Sequence, residues 1–101
     1  MTTVDILVVG AHPDDAEVGV GGLIHKMVTQ GYSVGILDLT EGELASRGSP
    51  AERAEEARVS AEILGVKRRE CAKLKDGKIA NTSEQQKKLI PLLRSFRPKV
   101  L

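Results

Sequence analysis

Several classes of protein are excluded by what this sequence has little of. Its 101 residues include a single cysteine, Cys71, so an intrachain disulfide is impossible and we expect a buried, structural thiol in a reducing compartment. Aromatic residues make up only 2% of the chain (Tyr32 and Phe96), which predicts a core built from Val, Ile, Leu and Ala. The 15 basic and 14 acidic residues leave a net charge of +1, without the basic excess that a nucleic-acid-binding surface needs.

Long hydrophobic runs are also missing. No apolar stretch approaches the ~20 residues of a membrane-spanning helix, and no targeting segment is recognisable. We therefore expect a cytoplasmic protein that binds neither nucleic acid nor membrane.

What the chain does contain is a regular alternation of strand and helix patterns. Short continuous apolar runs, typical of strands buried on both faces, occupy residues 5–11, 33–40 and, more weakly, 66–74. Apolar residues at helical spacing occupy residues 16–30, the segment between Ser49 and Gly65, and a segment from residue 83 onward. Residues 97–101 have the pattern of the beginning of a fourth strand. This order predicts an α/β, Rossmann-like parallel sheet with helices on both faces, truncated after the start of its fourth strand.

Local signals predict how the helices begin and pack. Ser49 with Pro50 predicts a capped start for the second helix, and residues 83–86, "SEQQ", predict a capping box at the start of the third. Pro91 lies inside the third helical pattern and should bend that helix or destabilise it by about 3 kcal/mol. The glycines of "GVGG", residues 19–22, are expected to let the first helix approach the sheet closely.

The segment "GAHPDDAEVGVGG", residues 10–22, places a histidine beside two adjacent carboxylates directly after the first strand. One interpretation is that Asp14 or Asp15 simply caps the following helix, although a cap needs only one of them. Dinucleotide binding fits poorly because the glycine spacing is wrong and two carboxylates repel phosphate. A phosphate loop with Gly-Lys-Ser/Thr is absent.

A metal site explains these residues better. His12 offers an imidazole nitrogen and Asp15 a carboxylate oxygen, and zinc accepts both ligand types. Asp14 would then remain uncoordinated and could take a proton from a water molecule at the metal. In a doubly wound sheet this segment and the polar stretch after the second strand would both lie where ligands bind, at the carboxyl ends of the strands.

The motif "AHPDDAE", residues 11–17, resembles the signature of the PIG-L/LmbE-like zinc deacetylases, which have a Rossmann-like fold. The stretches "GYSVGILDLTEGELASRG" (31–48), "ERAEEA" (52–57) and "DGKIANT" (76–82) are most similar to the branch that deacetylates N-acetylglucosaminyl-malate in bacillithiol synthesis. The resemblance covers essentially the whole chain. It implies a zinc-dependent hydrolase that removes an acetyl group from a small N-acetylglucosamine-containing molecule.

Carried over residue by residue, the resemblance makes His12 and Asp15 zinc ligands and Asp14 the general base. It also implies that Arg53 binds the substrate and that Glu43 contacts the sugar. Simpler interpretations stay open at this point, because Arg53 could pair with a neighbouring glutamate on its helix and Glu43 could be ordinary loop surface.

One expected part of the site is not present in these residues. In the family, a third zinc ligand lies in an H-P-D-H-type segment just after the fourth strand, and a later histidine acts as the general acid. We therefore expect residues 1–101 to be the amino-terminal part of a single deacetylase domain. Alone, they should be inactive and could form homo-oligomers. The alternative is a non-catalytic Rossmann-like fragment that binds metal weakly or self-assembles.

Overall fold

The computed structural model describes residues 2–45 and 48–101, which alternate between strands and helices as expected. The three strands are β1 (Ile6–Gly10), β2 (Val34–Thr40) and β3 (Arg68–Leu74). The three helices are α1 (Asp15–Thr29), α2 (Pro50–Leu64) and α3 (Ser83–Phe96). None of the helices in the described residues is long and apolar enough to cross a membrane.

The strands form one parallel sheet in the order β1-β2-β3. On the opposite edge of β1, Ile6 makes a parallel bridge with Val100, and the Leu7 N–H donates to the Val100 carbonyl at 2.9 Å. The last residues therefore begin a strand beside β1, so the spatial order is 3-2-1-4, as in Rossmann folds. The α/β, Rossmann-like prediction is confirmed.

Two apolar clusters hold the helices on opposite faces of the sheet. One contains Val4, Leu7, Leu37 and Phe96, packed against apolar residues of α3. The other contains Ala16, Ile24, Val34 and Ile36, packed against residues at the end of α2. Thus α1 and α2 cover one face and α3 covers the other. The clusters are aliphatic apart from Phe96, which is fully buried at the centre of the α3 side.

A glycine on β2 makes room for that phenylalanine. A Cβ atom on Gly35 would lie 2.9 Å from the Phe96 ring and 3.1 Å from Val4, closer than packed carbons tolerate. The expected close approach of α1 through its glycines is wrong, because a Cβ on Gly19, Gly21 or Gly22 would meet nothing within 4 Å. Instead, the segment bends at Val20, whose φ of −137° is not helical.

The helix ends follow the sequence signals with one shift. The Ser49 side chain accepts a hydrogen bond from the Glu52 N–H at 3.1 Å, as predicted. In α3 the capping residue is Thr82 rather than Ser83, since the Thr82 hydroxyl accepts from the Gln85 N–H at 3.3 Å. Residues 83–96 stay in one helix through Pro91, which therefore weakens α3 by a missing backbone hydrogen bond.

Candidate active site

The loops that follow the three strands meet at the carboxyl edge of the sheet. There they line an open cavity of about 320 Å³, within the size range of small-molecule sites. The cavity is lined by His12, Asp14, Leu44, Ala45, Arg53 and Asp76. The lining residues come from the segment after β1, the segment after β2, the helix α2 and the turn after β3. This is the position at which parallel α/β sheets bind ligands.

His12 and Asp15 face each other across a short gap. The His12 Nδ1 atom lies 3.4 Å from Asp15 Oδ2, and that oxygen also accepts the His12 backbone N–H at 2.9 Å. Gly10 permits this turn, because a Cβ there would be 3.0 Å from the Asp15 Cβ. Two ligands held at zinc-bond lengths with tetrahedral angles are about 3.4 Å apart. The pair therefore fits a tetrahedral zinc ion.

No third protein ligand accompanies this pair in the part of the chain that the structure describes. Within residues 2–45 and 48–101, no group of three or more His, Cys, Asp or Glu side chains is placed to hold a metal ion. His25, the second histidine of the chain, is exposed on α1. Cys71 lies half-buried on β3, where burial raises the pKa of its thiol, as expected for an unreactive cysteine.

Asp14 occupies the N-cap position of α1 without capping it. Its side chain makes no capping hydrogen bond and is 65% exposed at the rim of the cavity. Its φ of 132° and ψ of −18° lie in a region that favours glycine, so the backbone here is strained. The capping interpretation therefore fails for Asp14, and its carboxylate is available for chemistry.

Arg53 reaches across from α2 to the segment that carries Asp14. Its Nη2 atom donates to the Pro13 carbonyl at 3.0 Å and lies 3.7 Å from Asp14 Oδ1. The guanidinium packs flat on Gly42, where a Cβ would approach its central carbon to 2.9 Å. The alternative of a solvent-exposed pair within α2 is wrong, because only 17% of the Arg53 side chain is exposed. Arg53 thus lines the cavity and steadies the loop before α1.

Glu43 lies at the same edge of the sheet. Its Oε2 atom accepts the backbone N–H of Asp76 at 2.8 Å, which ties the segment after β2 to the turn after β3. The structure therefore brings all five predicted site residues to the same edge of the sheet.

Asp76 is a site residue that the sequence analysis missed. Its Oδ1 atom lies 2.8 Å from His12 Nε2, and its Oδ2 atom accepts the Leu44 N–H at 3.1 Å. The hydrogen bond between the two side chains raises the pKa of His12 and lowers the pKa of Asp76. The available signal was positional, because an acid directly after the third strand lies at the same sheet edge as His12.

A second group of charges lies inside the domain, beside the site. The Arg69 guanidinium on β3 holds Asp38 at 2.8 and 3.0 Å and Glu17 at 2.8 and 3.2 Å. The Arg69 and Asp38 side chains are only 8% and 4% exposed. The Ser60 hydroxyl donates to Glu17 at 2.8 Å, so the network joins α1, α2, β2 and β3. Glu17, the last residue of "AHPDDAE", is therefore structural here.

The protonation of this network follows from burial and pairing. Burial acts to raise the pKa of Glu17, but hydrogen bonds from Arg69 and Ser60 outweigh it and lower that pKa. Burial raises the pKa of Asp38, and the two hydrogen bonds from Arg69 oppose this shift. The same contacts raise the pKa of Arg69 against the effect of burial. Arg69 is therefore the cation that balances one buried carboxylate, Asp38, and one half-buried carboxylate, Glu17.

The fold and this edge together define an α/β protein with a histidine–carboxylate pair at the carboxyl end of β1. Comparison with known proteins makes the assignment specific. Residues 7–101 match the family described as PIG-L: GlcNAc-PI de-N-acetylase. The chain belongs to this family.

Curated relatives include enzymes named as deacetylases. The chain is 33% identical over 103 residues to the diacetylchitobiose deacetylase of Thermococcus kodakarensis, covering 95% of the chain and 39% of that protein. It is 37% identical over 60 residues to an uncharacterized deacetylase, YaiS, of Escherichia coli, covering 59% of the chain and 32% of that protein. The chain thus spans between about a third and two fifths of the length of these relatives.

Solved structures have the same fold. A conserved protein of Thermus thermophilus matches with a TM-score of 0.90 and 44% identity, and the match covers 97% of this chain and 45% of that protein. The N,N'-diacetylchitobiose deacetylase of Pyrococcus horikoshii matches with a TM-score of 0.77 and 31% identity, and the match covers 89% of this chain and 36% of that protein. A 4-carboxy-2-hydroxymuconate hydratase of Pseudomonas putida matches with a TM-score of 0.74 and 29% identity, and the match covers 99% of this chain and 46% of that protein.

Proposed function

We propose that this chain is the amino-terminal part of a single-domain, zinc-dependent N-deacetylase. Its substrate would be a small molecule that contains N-acetylglucosamine. The observation that carries the proposal is the 3.4 Å separation of His12 Nδ1 and Asp15 Oδ2, with Asp14 lining the same cavity as His12. Membership of a de-N-acetylase family and the relatives named as deacetylases support the reaction class.

His12 and Asp15 would hold the zinc ion, which when bound activates water and polarises a carbonyl group. Asp14 would take a proton from the attacking water onto its carboxylate. Water would then add to the carbonyl carbon of the acetamide, the nitrogen would take up a proton as the C–N bond breaks, and acetate and a free amine would leave. The exposure of Asp14 at the cavity rim suits this role, because its carboxylate has no competing capping bond.

The third zinc ligand is proposed to come from the part of the relatives' length that this chain does not span. A catalytic zinc site takes three protein ligands and one open position, and two ligands are present here. The general acid is proposed to lie in the same part.

For the substrate, we propose N-acetylglucosaminyl-malate first and a related N-acetylated sugar, such as diacetylchitobiose, second. Arg53 would bind the substrate with its forked guanidinium and Glu43 would accept hydrogen bonds from sugar hydroxyls. Both side chains lie at the edge of the sheet where the cavity opens.

The direct test is acetate release by the complete protein. With zinc bound, the protein should release acetate from N-acetylglucosaminyl-malate or N,N'-diacetylchitobiose, and activity should vanish with a chelator and return when zinc is added. Metal content is measured in parallel. Hydration of 4-carboxy-2-hydroxymuconate without acetate release would assign the protein to the other reaction named among its structural relatives.

The isolated 101-residue chain provides the comparison. With two of three protein ligands it should bind zinc weakly in equilibrium dialysis and release no acetate. Exposed apolar residues, including Val100 and Leu101 at 58% and 77%, should favour self-association in sedimentation experiments. Stoichiometric zinc with turnover in a monomer of residues 1–101 would contradict the proposed third ligand.

Arg53→Ala should lower kcat/KM of the complete protein roughly 10- to 150-fold, the equivalent of losing about 1.5–3 kcal/mol of charged hydrogen bonding. A substrate contact predicts a rise in KM, whereas loss of support for the Pro13–Asp14 segment predicts a fall in kcat. Zinc content should not change. Arg53→Lys is the matched control, because lysine keeps the positive charge but lacks the forked N–H donors of the guanidinium. Unchanged kinetics with lower thermal stability would show a purely structural arginine.

A further inference from the structure

The two ring nitrogens of His12 face different carboxylates. Nε2 lies 2.8 Å from Asp76 Oδ1, whereas Nδ1 lies 3.4 Å from Asp15 Oδ2. The nitrogens of an imidazole point away from each other, so one metal ion cannot bridge both pairs. One nitrogen must serve the metal and the other must serve a hydrogen bond.

The contact with Asp76 has the character of a hydrogen bond. A separation of 2.8 Å leaves no room for an ion, and the Asp76 side chain is only 8% exposed. Its other oxygen already accepts the Leu44 N–H at 3.1 Å. Because a carboxylate can only accept, the proton of this hydrogen bond belongs to His12 Nε2.

The contact with Asp15 has the opposite character. A separation of 3.4 Å is too long for a good N–H···O hydrogen bond and equals the spacing expected of two tetrahedral zinc ligands. The Asp15 side chain is 44% exposed, so an ion can reach this gap from solvent.

We propose that Asp76 is a positioning residue, which holds the proton of His12 on Nε2 and thereby leaves Nδ1 as the nitrogen that binds the metal. The inference rests on the zinc site proposed above. It gives Asp76 the role of the carboxylate that orients a metal-binding histidine from behind. Asp76 also accepts the Leu44 N–H, so the same side chain fixes both the metal ligand and a loop that lines the cavity.

Asp76→Asn separates this role from that of simply filling space. The Leu44 N–H requires an acceptor, so the amide oxygen should turn toward Leu44 and the amide N–H toward His12. Nε2 must then accept, which moves the His12 proton to Nδ1, the nitrogen that faces Asp15. Zinc affinity, measured by competition with a chelator, should therefore fall about 10- to 100-fold in the complete protein.

Glu43→Gln is the matched control. It removes one negative charge from the same cluster and keeps an oxygen for the Asp76 N–H, without touching His12. Its zinc affinity should equal that of the wild type. An equal loss of affinity in both variants would assign the effect to lost charge or a disturbed loop and would overturn the proposal.

A second measurement needs no metal. Nitrogen-15 NMR of His12 in the zinc-free wild-type protein, at alkaline pH where the imidazole is neutral, should place the proton on Nε2. The Asp76→Asn variant should place it on Nδ1. A wild-type proton on Nδ1, or a variant that binds zinc as tightly as the wild type, overturns the role of Asp76. A wild-type protein that takes up no zinc instead overturns the proposed function.

Discussion

Replacing Asp14 with asparagine is expected to lower deacetylation by about 10²- to 10⁴-fold while the zinc content of the complete protein stays unchanged. The amide has the size of the carboxylate but cannot take a proton from water. The Asp14 side chain makes no capping hydrogen bond and lies outside the His12–Asp15 gap, so neither α1 nor the metal ligands should change. Acetate release and metal analysis on the same preparation measure both quantities.

Asp15→Ala is the companion variant, and it should lose zinc itself because it removes one of the three proposed protein ligands of the complete protein. Equal loss of zinc in the Asp14 and Asp15 variants would show that their roles are wrongly assigned. Asp14→Gly adds a stability readout. Glycine accepts a φ of 132°, so the free energy of unfolding of this variant should rise by the order of 1–3 kcal/mol, which denaturant titration measures. The variant should be as inactive as Asp14→Asn.

Replacing Arg69 with methionine should lower the free energy of unfolding by about 3–5 kcal/mol. The methionine keeps most of the length of the side chain but leaves the carboxylates of Asp38 and Glu17 without a cation. Asp38 has almost no access to water, since 4% of its side chain is exposed. Denaturant titration of the wild type and the variant measures the difference.

Arg58→Met is the matched control for this experiment. Arg58 also bridges two carboxylates, Glu55 and Glu62, at 2.6 Å each, but all three side chains are more than half exposed. Exposed pairs of this kind contribute roughly 0–1 kcal/mol, so the control should be nearly as stable as the wild type. A similar loss of unfolding free energy in both variants would contradict the conclusion that the ion pairs of Arg69 matter because they are buried.

The destabilisation of Arg69→Met should also depend on pH. Without Arg69, burial keeps the folded-state pKa of Asp38 above its unfolded value, so the ionised carboxylate opposes folding at neutral pH and protonation relieves it. In the wild type, Glu17 has a lowered pKa, and its stabilising contribution disappears as the pH falls. Because of both effects, the difference in free energy of unfolding between the variant and the wild type should become smaller as the pH approaches ~4.

The sequence alone predicted most of the backbone because the local signals agree with one another. Apolar runs and helical spacing placed all six elements within a few residues, and Ser49 and Gly65 bounded α2 where the structure has them. The turn from β1 into α1 brought His12, Asp14 and Asp15 together because they are neighbours in the chain. The details that were predicted wrongly are those in which two neighbouring residues could take the same role, such as Thr82 and Ser83 as the cap of α3.

The contacts that were missed are those between distant parts of the chain. Asp76 and His12 are brought together only by the parallel register of three strands, and the position of Asp76 after β3 places it at the same sheet edge without indicating His12 as its partner. Arg69 lies in the basic run "VKRREC" (66–71), and a run of like charges is typical of a solvated surface, so nothing in the local sequence indicates a buried ion pair. Its inward orientation follows from the alternation of side chains along β3, which places Arg69 against Asp38.

The bridge between Ile6 and Val100 has a consequence for how the molecule is made. Of these strands, β1 is the first to leave the ribosome, yet one of its edges gains a partner only when the residues around Val100 emerge. At translation rates of ~5–20 residues per second, that edge stays open for several seconds. Apolar side chains and unpaired backbone groups on such an edge invite pairing with other chains. Nascent chains arrested just before residue 97 should therefore depend on chaperones more than chains arrested well beyond residue 101.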